Sequence, residues 1–409
     1  MRLALTSNGP GEFSGWVRPL VAALLRLAPQ TEISLFFVPD DYATGREPEV
    51  ARALFPQISV FDRREYVRFA LGRSVAGVPA TSDVTLYLGG DLMHAARVRS
   101  RLGGKLAAYK FAPRGRAKSF SRVYAVDARN AASLRRSRIP PERVEIVGNL
   151  AVDGALGEAA GFFGGASPDP RIASGGVLIL PGARKYEIEH LVPFFLRAAV
   201  RLRELAPELP VAFAISPFTA VEELDRALRA GGDPRVWGLR GSVAEASDGL
   251  WFQPEGGQAP FPVVRDAMRY APHARMALTI PGTKCVELAA LGAPAMVCVP
   301  LNAPELAVIN GPLQYVGRLP LVGVPLKRAA ALAVDRHFTL AAQPNIDAGQ
   351  ALMPELRGTL TPGYVASRAA AYALEDAERA QASTRLRALY ADQAGAAERV
   401  ARSLSSLGA

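Results

Sequence analysis

Apolar residues fall along this chain in two rhythms: short unbroken runs, and longer stretches where they recur at helical spacing. In the first half the runs occupy residues 3–5, 33–38, 84–88, 106–109, 123–126 and 144–147. They are continuous rather than alternating, which predicts parallel strands covered on both faces. Between the first two, Val17, Leu20, Val21, Leu24 and Leu25 form one apolar stripe, a helix laid on the sheet. Residues 161–170 are dense in Gly, Pro and Ser without periodicity and read as a linker. The second half repeats the theme, with runs at 177–180, 211–215, 250–252, 277–280 and 295–299 and a helix over about 189–205. From about 365 to 407 the chain is Ala-rich, charged and helical. The expected class is α/β, two Rossmann-like parallel-sheet domains at 1–165 and 170–365, then C-terminal helices at 366–409.

Two loops carry the clearest chemistry. The run ending at Leu180 breaks at Pro181-Gly182, passes Ala183 and Arg184, and enters a helix with Glu187 and Glu189 in its first turn. A second run ends in Pro281-Gly282-Thr283, followed by Lys284 and Glu287. Backbone N–H groups and the helix dipole favour an anion at such turns, so the pair suggests a nucleotide diphosphate. Arg184 can fork onto that diphosphate, or be a plain surface arginine. Glu287, one turn beyond Thr283, can hydrogen-bond ribose hydroxyls or make a salt bridge along its helix.

The first βα turn, Ser7 to Trp16, carries Gly9, Pro10, Gly11 and Gly15, with Asn8, Glu12 and Ser14 as candidate ligand contacts. Its bland alternative is a tight loop that needs glycine. Asp91 follows Gly89-Gly90 at the end of a strand and can act as a general base or cap the next helix. His94 can do the same base work with less pKa adjustment. Cys285 reads as helix packing, with no histidine near it in sequence.

Composition sets outer bounds. At 409 residues, with 49% hydrophobic and 21% charged, the chain suits two folded domains and not a disordered one. A formal net charge of +10 does not choose among nucleic acid, anionic membrane and phosphorylated substrates. Cys285 and Cys298, the only cysteines, allow neither a disulfide framework nor a zinc site. The N-terminus lacks a signal-peptide layout, and no run reaches the ~18–20 apolar residues of a spanning helix. These features suggest a cytoplasmic protein, soluble or peripheral at the inner face of the membrane. Arg97, Arg99, Arg101, Lys105, Lys110, Arg114, Arg116, Lys118 and Arg122, with Tyr109, Phe111 and Phe120, form a basic–aromatic stretch. Arg63, Arg64, Arg68 and Arg73 around Tyr66, Val67, Phe69 and Leu71 form another. Both suit an anionic membrane surface or a lipid phosphate; the alternative is a solvated face.

Taken in order, these pieces resemble the lipid A disaccharide synthase family. The resemblance rests on Gly11-Glu12-Phe13-Ser14-Gly15 and on residues 147–153, with Asn149 where the family usually has His. It rests also on Leu180-Pro181-Gly182-Ala183-Arg184 through Glu187, on Gly282-Thr283 with Glu287, and on Gln343-Pro344-Asn345 followed by Pro354-Glu355-Leu356. It implies a GT-B architecture, two lobes facing a cleft with the last helix crossing back to the first. It implies an inverting glycosyltransferase with neither metal nor other cofactor, moving a sugar from a UDP-sugar to a lipid-linked or phosphorylated sugar acceptor. Gly182, Ala183, Arg184, Glu187, Gly282, Thr283, Glu287, Gln343, Asn345 and Glu355 would then hold the UDP-sugar. Asn8, Gly11, Glu12, Ser14 and Asn149 would hold the acceptor, and the family's catalytic carboxylate falls on Asp91 or, ungapped, on His94. Nucleic acid is not an expected partner. Two rivals share the loops: a UDP-sugar 2-epimerase and a non-catalytic sugar-nucleotide-binding protein.

Overall fold

In the computed structural model the described residues are 1–40, 43–111, 119–164, 168–169, 175–306, 328–329, 333 and 339–408. Arg114, Arg116 and Lys118 of the basic stretch, and residues 165–167 and 170 of the expected linker, lie outside them. The chain divides into two compact units: Met1–Gly157 with Tyr390–Ala409, and Glu158–Leu389.

Unit 1 is built on seven strands: β1 (Arg2–Ser7), β2 (Glu32–Phe37), β3 (Ser59–Phe61), β4 (Val84–Tyr87), β5 (Lys105–Tyr109), β6 (Arg122–Ala125) and β7 (Val144–Ile146), in the order β3-β2-β1-β4-β5-β6-β7. Every pairing is parallel. Leu3, Ala4, Leu5, Leu86 and Ala107 have essentially no exposure, so the strands are buried on both faces, as their unbroken apolar runs require. Helix Arg18–Leu27 packs on helix Ala396–Gly408, which closes the unit with sequence from the far end of the chain. Asp153 fixes that last helix by accepting from Gly395 and Ala397 N–H at 2.7 and 2.6 Å. Ser403 adds a bond to Glu145 beside β7 at 2.6 Å.

Unit 2 has eight strands: β8 (Val177–Leu180), β9 (Val211–Ala214), β10 (Gly241–Ala246), β11 (Gly249–Pro254), β12 (Phe261–Val264), β13 (Met276–Thr279), β14 (Ala295–Pro300) and β15 (Glu355–Gly358). Their order is β10-β11-β12-β9-β8-β13-β14-β15. From β12 to β15 the pairing is parallel, but β10 and β11 make an antiparallel edge. The sheet is therefore mixed, not purely parallel. Ser247-Asp248 before Gly249 forms a tight connection that can join only antiparallel neighbours. Phe194, Phe195, Phe213 and Phe252 fill the core beneath helices Val192–Leu205 and Pro362–Leu374.

Each unit opens in the same way. After β1 the chain makes a wide π turn at Phe13–Val17 before helix Arg18–Leu27, and after β8 another at Glu187–Leu191 before helix Val192–Leu205. Pro19 and Pro193 stand at the start of those helices. Proline lacks an N–H and its ring strikes the carbonyl four residues back, so the preceding turn opens.

Candidate functional site

In an open parallel sheet, ligands bind where neighbouring strands send their connections to opposite sides, beyond the strands' carboxyl ends. The strand orders put that crevice between β1 and β4 in unit 1 and between β8 and β13 in unit 2. The loops that open there are 8–12 and 88–91 in the first, 181–186 and 280–283 in the second.

The unit 1 crevice is a wall of acceptors. Buried Asn8 donates through Nδ2 to Asp40 Oδ2 at 3.0 Å, leaving its own carbonyl oxygen buried with no partner among the described residues. That oxygen faces Gly89, where φ is +146° and a Cβ would collide with the Asn8 side chain. Tyr87 donates its hydroxyl to the Gly90 carbonyl at 2.9 Å. Burial, then the charges of Glu12, Asp91 and Asp40, raise the Tyr87 phenol well above its ordinary pKa. Three carboxylates thus stand around one ring. Asp91 is exposed and N-caps helix Leu92–Leu102, Oδ1 accepting from Met93 N–H at 2.7 Å. His94, one turn on, is half-buried and lies 2.7 Å from the Tyr66 hydroxyl through Nδ1. Burial lowers the His94 pKa, with Asp91 and Asp40 opposing. Sequence does not single out Asp40, and it marks Tyr66 only as an aromatic of the second basic stretch. Asp40 follows β2 as Asp91 follows β4, which is a usable signal. Nothing local ties Tyr66 to this crevice, and it meets His94 only through the fold.

Of the other residues expected near the acceptor, Asn149 turns inward. Asn149 is buried; its Oδ1 accepts from Ala151 N–H at 3.1 Å at the start of helix Leu150–Ala159, and its own N–H donates to the Gln393 carbonyl at 3.0 Å. Gly11 lies in the short turn Pro10–Glu12 and Ser14 in the π turn, its carbonyl against Gly154.

The unit 2 crevice is made of donors, and its two loops differ. In the loop after β8, buried Glu187 reaches back and Oε2 accepts from Ala183 and Arg184 N–H, both at 2.8 Å. Its other oxygen lies 3.4 Å from the Arg184 guanidinium, which is half-exposed. Gly182 sits at φ +108°, and a Cβ there would strike the Glu187 carboxylate. This loop already holds an anion, its own. The loop after β13 is open. Among the described residues, none caps helix Thr283–Ala290 through its side chain, and a Cβ on the preceding Gly282 would meet nothing within 4 Å. Lys284 pairs with buried Glu287 at 2.5 Å. Burial pushes the Cys285 thiol up to about 12, so it stays protonated against the Ile280 carbonyl.

The late motif folds on itself. Asn345 is fully buried, donating to the Met353 carbonyl and Glu355 at 2.7 and 2.8 Å and accepting from Met353 N–H at 2.8 Å. Glu355 also accepts from Ala341 and Ala342 N–H, at distances down to 2.9 Å. Gln343 is exposed and bonds Asp347 along its own short helix at 2.8 Å. Among the described residues no group of three or more His, Cys, Asp or Glu is placed to hold a metal ion. Among them, too, no helix is long and apolar enough to cross a membrane.

No protein-family model matches the chain, and no curated protein matches it in sequence. Solved structures do. UDP-N-acetylglucosamine 2-epimerase from Neisseria meningitidis, bound to UDP-N-acetylglucosamine, superposes with a TM-score of 0.55 at 10% identity over 99% of this chain and 100% of its own. A Listeria monocytogenes structure assigned as the same enzyme gives 0.54 at 12% identity over 99% of this chain and 96% of its own. At such identity the likeness establishes the fold: α/β of the GT-B type, with two Rossmann-like units. It also corrects the expectation from sequence. Both of these structures are 2-epimerases, not lipid A disaccharide synthases, and against them the disaccharide-synthase reading and the sugar transfer to a lipid acceptor that came with it do not stand.

Proposed function

We propose that this protein binds a UDP-sugar and acts on the nucleotide sugar itself, as a UDP-N-acetylglucosamine 2-epimerase does. The observation that carries the reading is the uncapped start of helix Thr283–Ala290 at the switch point of unit 2, with Gly282 facing open space. The backbone at Gly282-Thr283 and the helix dipole suit a diphosphate there. Arg184 adds a planar charged fork from the neighbouring loop, and Glu287 lies one helical turn away, suited to ribose hydroxyls. Support for turnover comes from unit 1. Inverting a C–H centre requires one group to take a proton and another to return one, and Asp91 and His94 are groups of that kind. The Neisseria meningitidis enzyme is bound to UDP-N-acetylglucosamine, which gives the substrate to try first.

The test has two stages. A uridine nucleotide at a hundred times its dissociation constant stabilises the native state by about 2.7 kcal/mol, read as a thermal shift. Absence of any shift with UDP or UDP-sugars at millimolar concentration removes the reading. Incubation with UDP-N-acetylglucosamine alone should then yield its 2-epimer by proton NMR. Binding with the sugar returned unchanged leaves a non-catalytic nucleotide-sugar-binding protein.

A further inference from the structure

One surface of unit 1 takes no part in the crevice chemistry. Helix Arg63–Ala70 turns Tyr66 and Phe69 into the core and presents Arg63, Arg64, Val67 and Arg68 outward, with Leu71 just beyond its end. Beside it, helix Leu92–Leu102 buries Ala95, Val98 and Leu102 and presents Met93, Arg97 and Arg101. The outer faces adjoin: Arg97 donates through Nε to the Ala70 carbonyl at 2.7 Å, and the Arg101 guanidinium lies over the Phe69 ring, 5.3 Å from its centre. Leu71 is 70% exposed, Met93 60% and Val67 38%.

Scattered exposed apolar residues are ordinary. Here they share a face with arginines, and the acids of these helices are engaged by the chain itself. Asp62 caps its helix through Arg64 and Glu65 N–H at 2.8 and 2.9 Å. Glu65 accepts from Asp62 N–H at 2.8 Å and faces Arg52 at 3.5 Å. Asp91 spends one oxygen on Met93 N–H. The outward side chains are mostly arginines with apolar tips, with Asp91 at the edge beside Met93, the pattern of an interfacial helix face.

We propose that this face docks on an anionic lipid bilayer, with Leu71 and Met93 entering the headgroup region and Arg64, Arg68 and Arg97 set against lipid phosphates. An acidic protein would answer the charge equally well but gives the apolar tips no place to insert; the test separates the two. The proposal stands apart from the nucleotide-sugar reading.

The experiment is co-sedimentation of the full chain with phosphatidylcholine vesicles, with and without phosphatidylglycerol. Binding is expected only with the anionic lipid, and it should fall as salt shortens the Debye length below about 10 Å. Arg64→Glu with Arg68→Glu should lower partitioning at least roughly tenfold, since each arginine at the surface contributes about 1 kcal/mol. Leu71→Ser with Met93→Ser keeps the charge and should lower it several-fold. Equal binding to neutral vesicles overturns the proposal, as does full binding by the Leu71→Ser, Met93→Ser variant. No binding to either vesicle overturns it too and hands the face to an acidic protein. Both double variants should melt as the parent does, since all four substituted side chains point to solvent.

Discussion

The two crevices occupy the same place in their sheets and have opposite chemistry. In unit 1, Asn8, Glu12, Asp40 and Asp91 supply acceptors and negative charge around Tyr87. In unit 2, the uncapped helix at Gly282-Thr283, Arg184 and Lys284 supply donors and positive charge. A phosphate suits the second and is repelled by the first. A phosphorylated acceptor held at the first βα turn would face three carboxylates, whereas sugar hydroxyls, which donate, would meet a wall of acceptors. Topology fixes where a ligand can approach; the residues on the loops decide which ligand.

The largest effect expected from breaking this contrast is at Asp91. Asp91→Asn preserves the N-cap, because Asn is as good a cap as Asp, but removes the base. Turnover of UDP-N-acetylglucosamine should fall by ~10²–10⁴-fold while the UDP thermal shift and the melting temperature stay put. Near-normal turnover would reduce Asp91 to a cap.

Next come paired substitutions in the two loops of unit 2. Gly182→Ala forces a side chain into φ +108° and onto the Glu187 carboxylate, so it should lower unfolding free energy by roughly 1–3 kcal/mol in urea. Gly282→Ala has room for its methyl and should change stability by under about 0.5 kcal/mol. Its methyl projects where the diphosphate would lie, and UDP should bind on the order of tenfold more weakly, the loss of one charge-assisted hydrogen bond. If the two glycines exchange these phenotypes, the anion site belongs in the loop after β8. Glu187→Gln sharpens the point. It should weaken the bonds to Ala183 and Arg184 N–H and destabilise by about 1–2 kcal/mol, with a smaller change in UDP affinity than Gly282→Ala.

Much of this was legible in the sequence, and the gaps have physical reasons. Residues 177–180 were read as a strand and β8 is Val177–Leu180, because a buried parallel strand leaves an unbroken apolar run. Short or half-exposed strands leave no such run. That is why β3, β10 and β15 leave no signal, and with β10 the antiparallel edge of unit 2; β12 is buried and apolar, but Pro262 within its run argues against a strand. The π turns had a signal in Pro19 and Pro193 that periodicity alone does not weigh. At the sites, sequence indicated the loops and their residue types. It could not indicate whose hydrogen bonds were already spent. Glu187, Asn345 and Glu355 carry the chemistry of ligand contacts, yet each bonds its own neighbouring backbone, a fact that exists only once the chain is folded.

The smallest expected effect concerns His94. Its pKa is depressed below the ordinary 6.5, chiefly by burial, with Asp91 and Asp40 pulling the other way. Burial also pushes the Tyr66 phenol up to about 12, so Tyr66 stays protonated beside His94 Nδ1, 2.7 Å away. In the unfolded chain His94 protonates near its ordinary value; in the native state it does so only at lower pH. The unfolded state therefore binds more protons in between, and stability present above the ordinary pKa is lost as pH falls toward the native one. His94→Gln removes that term. The stability gap between parent and variant, measured in urea, should narrow between about pH 7 and about pH 5. A gap that stays constant or widens on acidification would mean that Asp91 and Asp40, not burial, set the charge on His94. The unit 1 crevice would then carry a cation among its acceptors, and its contrast with unit 2 would shrink accordingly.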